Sequence, residues 1–149
     1  MSHVKTATTN VTDIDCLEKA VASIAGLRFK RDQKTYRWFG QWMNDYSVED
    51  AAYKNGIDVK DYGKCEHAIE CDGSSYDIGV MKRKDGKGYA LVWDFFASGM
   101  SINRKIGDGA EKLIKEYNRQ VVLKQAKLQG WHVSQQTKNG VEQLVLTKV

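Results

Sequence analysis

Two turn dipeptides constrain the fold of this chain more than any other feature. Asp85-Gly86 and Asn139-Gly140 each stand between two strand-like runs, and Asp-Gly and Asn-Gly are strong short-range signals of a β-hairpin. The runs that they join are Tyr76–Lys82 with Tyr89–Phe96, and Trp131–Thr137 with Val141–Lys148. Because the strands of a hairpin are antiparallel and no strand–helix–strand series repeats, the sequence predicts a mostly antiparallel sheet.

Two helices are predicted to cover this sheet. Thr12 or Asp13 can cap a helix over about Asp13–Ala25, and a second helix over about Asp108–Gln129 ends at Gly130. Each carries an apolar stripe at helical spacing. Further strand-like stretches are Val4–Val11, Leu27–Lys30, Thr35–Trp42 and Cys65–Cys71, and Leu27–Lys30 and Thr35–Trp42 are predicted to form another hairpin. The predicted fold class is therefore α+β, a mostly antiparallel sheet of hairpins covered by two helices.

Length and composition favour one domain over residues 1–149, since domains commonly run to about 100–150 residues. The acidic stretch at about 44–63 has no sustained periodicity and is predicted to form a long surface loop. Apolar runs such as Tyr89–Trp93 are far shorter than the ~20 residues of a membrane span. The first residues lack the apolar stretch of a secretory signal, and three cysteines are an odd set. We therefore expect a cytoplasmic protein with reduced thiols and no membrane segment.

The second half of the chain resembles a known family. The resemblance is carried by Tyr76-Asp77-Ile78-Gly79, Tyr89–Phe95, Tyr117, Gln129–Val133 and Leu144-Val145-Leu146. These stretches are similar to an uncharacterised family named for hypothetical chloroplast reading frame thirty-five, which cyanobacteria, algal plastids and some phages encode. The family carries a domain-of-unknown-function label, so the resemblance implies a fold and a possible phage, cyanobacterial or plastid origin, but no activity.

Cys65, His67 and Cys71 are the nearest approach to a metal or reactive-thiol set. If the segment is a strand, these residues share one face, and His67 and Cys71 stand ~13 Å apart, too far to share one ion. The same spacing excludes a Cys65–Cys71 disulfide. The interpretation that we favour is an inward-facing row that packs in the core. A metal site and a Cys65 thiol activated by His67 remain as alternatives.

The basic, aromatic stretch 28–42 is the best candidate for a binding surface in the sequence. Its candidate binding residues are Arg28, Lys30, Arg31, Lys34, Tyr36, Arg37, Trp38 and Trp42. Cations beside a stacking platform suit single-stranded nucleic acid. The alternative is a hairpin with its aromatic side chains in the core and its cations in water.

No catalytic residues, cofactor or established functional motif emerge from the sequence. We expect a small non-enzymatic binding or accessory protein that acts through protein contacts, with the acidic loop and exposed aromatic residues as its surface. Two alternatives are a protein that binds single-stranded nucleic acid through residues 28–42 and a small enzyme that uses Cys65 or His67. A protein partner and a nucleic acid are both possible partners. The sequence leaves the oligomeric state open.

Overall fold

A computed structural model describes residues 4–7, 11–38, 61–95 and 99–148 of the chain. They form an α+β arrangement, as predicted. The strands are β1 (Val4–Thr6), β2 (Leu27–Lys30), β3 (His67–Cys71), β4 (Ile78–Lys82), β5 (Tyr89–Asp94), β6 (Trp131–Lys138) and β7 (Val141–Lys148). The helices are α1 (Ile14–Ser23), α2 (Met100–Ile106) and α3 (Glu111–Leu128).

The larger sheet has the strand order β1-β5-β4-β3-β2, and every pairing in it is antiparallel. The predicted hairpin of β4 and β5 is confirmed, and Gly86 at its turn has a φ of 75°. This left-handed conformation costs glycine little, which explains the Asp-Gly signal. The hairpin of β6 and β7 forms a separate two-stranded sheet.

Helices cover one face of the larger sheet. Leu17 and Val21 of α1 and Leu113 of α3 are fully buried there, in one cluster with Trp93 of β5. Asp13 caps α1 by accepting a hydrogen bond from the backbone N–H of Cys16 at 3.0 Å. Its other carboxylate oxygen lies 2.6 Å from Lys124 Nζ on α3. The start of α1 is therefore fixed on α3, which holds the long helix against the sheet.

Helix α2 was not predicted, because Ser98-Gly99 indicates a loop there. The helix buries Ile102 and Ile106, which are spaced i, i+4 and so share one face. Between them Asn103 accepts a 2.6 Å hydrogen bond from the indole N–H of the buried Trp93. This short amphipathic helix closes the apolar core beside β5.

The opposite face of the larger sheet carries a second, smaller core. Its buried members are Tyr36, Tyr62, Cys65, Ala68, Met81, Ala90 and Val92, and the half-buried Trp38 packs against them. The predicted pairing of Leu27–Lys30 with Thr35–Trp42 is wrong for the described part of that run. Strand β2 pairs with β3, and Thr35 forms an isolated bridge with Lys64. The described part of this run, residues 35–38, therefore covers the sheet instead of extending it.

The predicted acidic loop at 44–63 lies mostly outside the described residues. Asp61–Gly63, its last part, form a tight turn that leads back to the sheet. Within the described ranges no helix is long and apolar enough to cross a bilayer.

Candidate interaction surface

The C-terminal hairpin follows α3 directly and stands apart from the larger sheet. Gly130, with a φ of 71°, ends α3, so β6 turns back along the helix. Asn139 and Gly140 form the two-residue turn with φ values of 53° and 75°, as a type I′ hairpin requires. The register runs without a bulge from Trp131↔Lys148 to Lys138↔Val141. This part of the fold was predicted correctly from local turn chemistry.

One face of the hairpin is turned toward α3. Residues directly opposite in an antiparallel pair share a face, so Trp131, Val133, Leu144 and Leu146 lie on the same side. Trp131 and Leu146 line a groove of about 250 Å³ against the apolar end of α3, with Val121, Val122 and Ala126. The hairpin therefore docks on the helix through an apolar strip.

Polar contacts hold the other end of this face on α3. Lys115 Nζ lies 3.4 Å from a Glu142 carboxylate oxygen, and Arg119 donates a 3.2 Å hydrogen bond to the Gln135 side-chain carbonyl. Gln135 in turn donates to Glu142. These residues line a second groove of about 420 Å³ between α3 and the hairpin. Their charges are satisfied among themselves, so the groove presents no isolated charge to a ligand.

Three of the large exposed apolar side chains lie on α3 and the C-terminal hairpin. The described residues expose four large apolar side chains: Met100, Leu128, Val141 and Leu146. Leu128 is 71% exposed at the end of α3, Val141 is 58% exposed beside the turn, and Leu146 is 41% exposed on β7. Val141 lies on the hairpin face opposite that of Leu146, and its neighbour Glu142 contacts Lys115, about 20 Å along α3 from Leu128. The three side chains are therefore separate, and single exposed apolar groups are ordinary on a protein surface.

The outer edge of β7 is a second feature of this surface. Among the described residues β7 pairs only with β6. Since a two-residue turn closes on a hydrogen-bonded pair, alternate residues from Val141 onward bond to β6. The backbone N–H and C=O groups of Glu142, Leu144, Leu146 and Lys148 then point away from β6. Such a row of unpaired groups can accept another strand.

The basic residues of the sequence-predicted surface are bonded to carboxylates. Arg28 contacts Asp72 at 2.6 Å and Glu70 at 3.2 Å, and Lys30 lies 3.9 Å from Glu70. The remaining contacts are Arg31 with Asp15 and Glu18, Lys34 with Glu66, and Arg37 with the buried Asp77. These carboxylates raise the pKa of Arg28, Arg31, Lys34 and Arg37. The stretch therefore carries less uncompensated positive charge than its sequence suggests.

The aromatic residues of that stretch differ in exposure. Tyr36 is only 4% exposed, and its ring covers Gly79 of β4. Trp38 is half-buried, with its ring edge-on to that of Tyr62 at 5.5 Å between centroids. Trp42 lies outside the described residues. Tyr36 therefore packs as a core residue and offers no open ring face for stacking.

The predicted row of Cys65, His67 and Cys71 on one face is wrong for Cys65. The N–H of Glu66 donates to the carbonyl of Val80, which is also the residue opposite His67. Glu66 and His67 thus both lie opposite Val80, as in a β-bulge. The extra residue reverses the side of the sheet on which the preceding side chain, that of Cys65, lies. Cys71 packs in the helix-side cluster, whereas Cys65 belongs to the cluster on the other face.

The environments of Cys65 and His67 differ as much as their positions. The Cys65 thiol donates to the carbonyl of Gln33 at 3.1 Å, and burial raises its pKa to about 12. His67 Nδ1 accepts a 2.9 Å hydrogen bond from the backbone N–H of Asp32, and burial lowers the pKa of the imidazole. In the described part of the chain, no three His, Cys, Asp or Glu side chains are grouped as metal ligands would be.

The sequence interpretation did not single out the C-terminal hairpin as a functional site. It identified the strands and the turn, but alternating apolar residues in a hairpin normally indicate a buried face. The local pattern does not separate a covered hairpin from an open one, because the exposure of a strand depends on which elements pack against it.

The fold is that of an α+β protein with a separate two-stranded sheet after its longest described helix. Residues 45–147 match the model of a family described as proteins of unknown function (DUF1257). The match spans more than half of the chain and includes β3 to β6 and most of β7, so the chain belongs to this family. No curated protein and no solved structure matches it.

Proposed function

We propose that this protein is a non-enzymatic binding module that contacts other proteins through its C-terminal hairpin and the end of α3. The observation that carries the proposal is the outer edge of β7, which pairs with nothing among the described residues and has the exposed Leu146 on it. A row of unpaired backbone groups beside an exposed apolar side chain offers both direction and binding energy. We further propose, from the sequence resemblance, that the chain is related to the proteins of cyanobacteria, algal plastids and phages.

The buried Cys65 and His67 support the non-enzymatic part of the proposal. A nucleophilic cysteine needs a lowered pKa or a neighbouring base. The pKa of Cys65 is instead raised to about 12, and Cys65 and His67 belong to opposite faces of the sheet. His67 is enclosed by the rings of Phe29 and Tyr89, at 5.5 and 6.0 Å between ring centroids. This environment keeps the imidazole neutral and holds the strand in place.

Affinity capture with matched variants tests the proposal. Leu146→Glu places a charge on the open edge strand, and Met100→Glu places the same charge on a residue of nearly equal exposure on α2. We expect proteins from an extract of the host to be retained by the wild-type chain and by Met100→Glu, and to be lost with Leu146→Glu. Each retained protein is then identified by mass spectrometry and rebound as a purified component. Equal retention by all three chains would contradict the proposal.

A further inference from the structure

The outer edge of β7 is complementary to itself. An antiparallel pair of two identical strands related by a twofold axis matches residue i of one copy with residue j of the other, where i and j lie on the same face. If the axis passes through Val145, Leu144 lies opposite Leu146 and Glu142 opposite Lys148, each twice. On the other face Gln143 lies opposite Thr147.

Other registers of the same kind lose this match. Moving the centre to Leu144 sets Glu142 opposite Leu146, and moving it to Leu146 sets Leu144 opposite Lys148. Each places a charge against an apolar side chain. Opposite charges and apolar pairs directly across a sheet stabilise it, by about 0.2–1 kcal/mol each. The register centred on Val145 is therefore the one that the side chains favour.

The backbone of this edge fits the same register. The outward N–H and C=O groups belong to Glu142, Leu144, Leu146 and Lys148, and these are the residues that pair with one another across the axis. Val145 meets its own copy as a non-hydrogen-bonded pair, where side chains approach closest. Nothing among the described residues covers this edge.

We infer that β7 pairs with β7 of a second copy of this chain in the Val145-centred antiparallel register, joining the two hairpins into one sheet. This inference rests on the proposed function, because it names the first partner of the hairpin. The pairing gives both copies the strand order β6-β7-β7-β6, with both α3 helices on one face. Leu144 and Leu146 of the two copies then form one continuous apolar strip, so the exposed part of Leu146 is covered.

A charge-swap experiment tests the register. Sedimentation equilibrium of the full chain is expected to show a monomer–dimer equilibrium at roughly 1–100 µM, because a strand-edge contact is at the small end of interface areas. Glu142→Lys sets a second lysine against Lys148, and Lys148→Glu sets a second acid against Glu142. Each variant alone is expected to dimerise about tenfold more weakly or worse. An equimolar mixture restores opposite charges and is expected to recover the wild-type affinity.

Recovery in the mixture separates the pairing from a structural effect. Glu142 also contacts Lys115 within its own chain, and mixing two variants cannot repair that contact. Gln136→Lys, on the exposed side of β6, is the control and is expected to leave dimerisation unchanged. A wild-type chain that stays monomeric at several hundred micromolar would overturn the inference. So would a mixture no stronger than either variant.

Cysteine cross-linking locates the axis independently. Val145→Cys brings two Cβ atoms to about 4.5–5.5 Å, within reach of a disulfide formed under a mild oxidant. Gln143→Cys is the matched control, since Gln143 is on the same face and more exposed, but its two copies would stand four residues apart. Rapid cross-linking of Val145→Cys alone supports the register; equal rates for the two variants contradict it.

The two proposals fail in different ways. A chain that is monomeric but still retains a host protein through Leu146 refutes the twofold pairing and leaves the proposed function intact. A dimer that persists with both charge variants shows association through another surface, and this also refutes the inference.

Discussion

Gly79→Ala is expected to destabilise the protein through the ring of Tyr36. A Cβ built on Gly79 would lie 2.5 Å from Tyr36 Cδ1 and 2.6 Å from Cε1, whereas ordinary contacts are 3.4–4 Å. The ring or the strand must therefore move by about 1 Å, and overpacking of this kind costs about 1–3 kcal/mol. Gly79 does not have a left-handed φ, so alanine is not strained at this position by its backbone. Without the Tyr36 ring, Gly79→Ala would therefore only gain stability, because alanine loses less conformational entropy on folding than glycine.

A double-mutant cycle isolates this contact. Tyr36→Ala should cost about 3–5 kcal/mol, as for other buried aromatic rings. In that background Gly79→Ala is expected to stabilise by about 0.5–1 kcal/mol, because the added methyl then meets no ring. The coupling is read from urea unfolding of the four chains, by their midpoints at constant m.

One control variant completes the cycle. Tyr36→Phe tests the hydroxyl, which is buried without a hydrogen bond among the described residues, although the N–H of Gly63 approaches it. We expect Tyr36→Phe to equal or exceed the wild-type stability. If the changes in the free energy of unfolding caused by Gly79→Ala and Tyr36→Ala add up in the double variant, the packing of Tyr36 on β4 is refuted. The Tyr36 ring would then again be a candidate stacking surface.

Three further predictions concern buried polar groups. His67 Nδ1 must be unprotonated to accept from Asp32 N–H, and burial lowers its pKa, so the unfolded chain binds more protons. The contribution of His67 to the free energy of unfolding should thus be complete above the unfolded pKa of about 6.5, and it should fall as the pH drops through this value toward the folded pKa. In His67→Gln this contribution to the pH dependence should disappear, as measured by urea unfolding at several pH values. Asn103→Ala leaves the indole N–H of Trp93 unpaired and should cost about 1–3 kcal/mol, whereas an unchanged urea midpoint would contradict the bond. Iodoacetamide should modify Cys65 only as fast as the protein opens, because a thiol with a pKa of about 12 is rarely ionised; rapid labelling of the folded protein would contradict its burial.

Local chemistry predicted the parts of the fold that depend on neighbouring residues. The turns at Gly86 and Gly140, the cap at Asp13 and the end of α3 at Gly130 all follow from residues close in the chain. The pairing of β2 with β3 joins residues about forty positions apart, and turn signals do not specify such a partner. For the same reason a hairpin was predicted where none forms in the described residues.

Single-residue irregularities account for most of the remaining errors. One extra residue at Glu66 reverses the side on which Cys65 lies, and period-two alternation cannot reveal a bulge in advance. The pairing of the cations in the basic stretch was also hidden, because Asp77 meets Arg37 across forty residues of sequence. The candidate surface was missed because exposure depends on which elements remain to cover a strand.

Hydrogen exchange along β7 tests the central claim, that its outer edge is open in the single chain and pairs with β7 of a second copy. In dilute protein the amides of Gln143, Val145 and Thr147 should be protected by β6, while those of Leu144 and Leu146 exchange freely. At high protein concentration the amides of Leu144 and Leu146 should become protected as well. Outward amides that are protected even in dilute protein, or exchange freely at every concentration, would contradict the account.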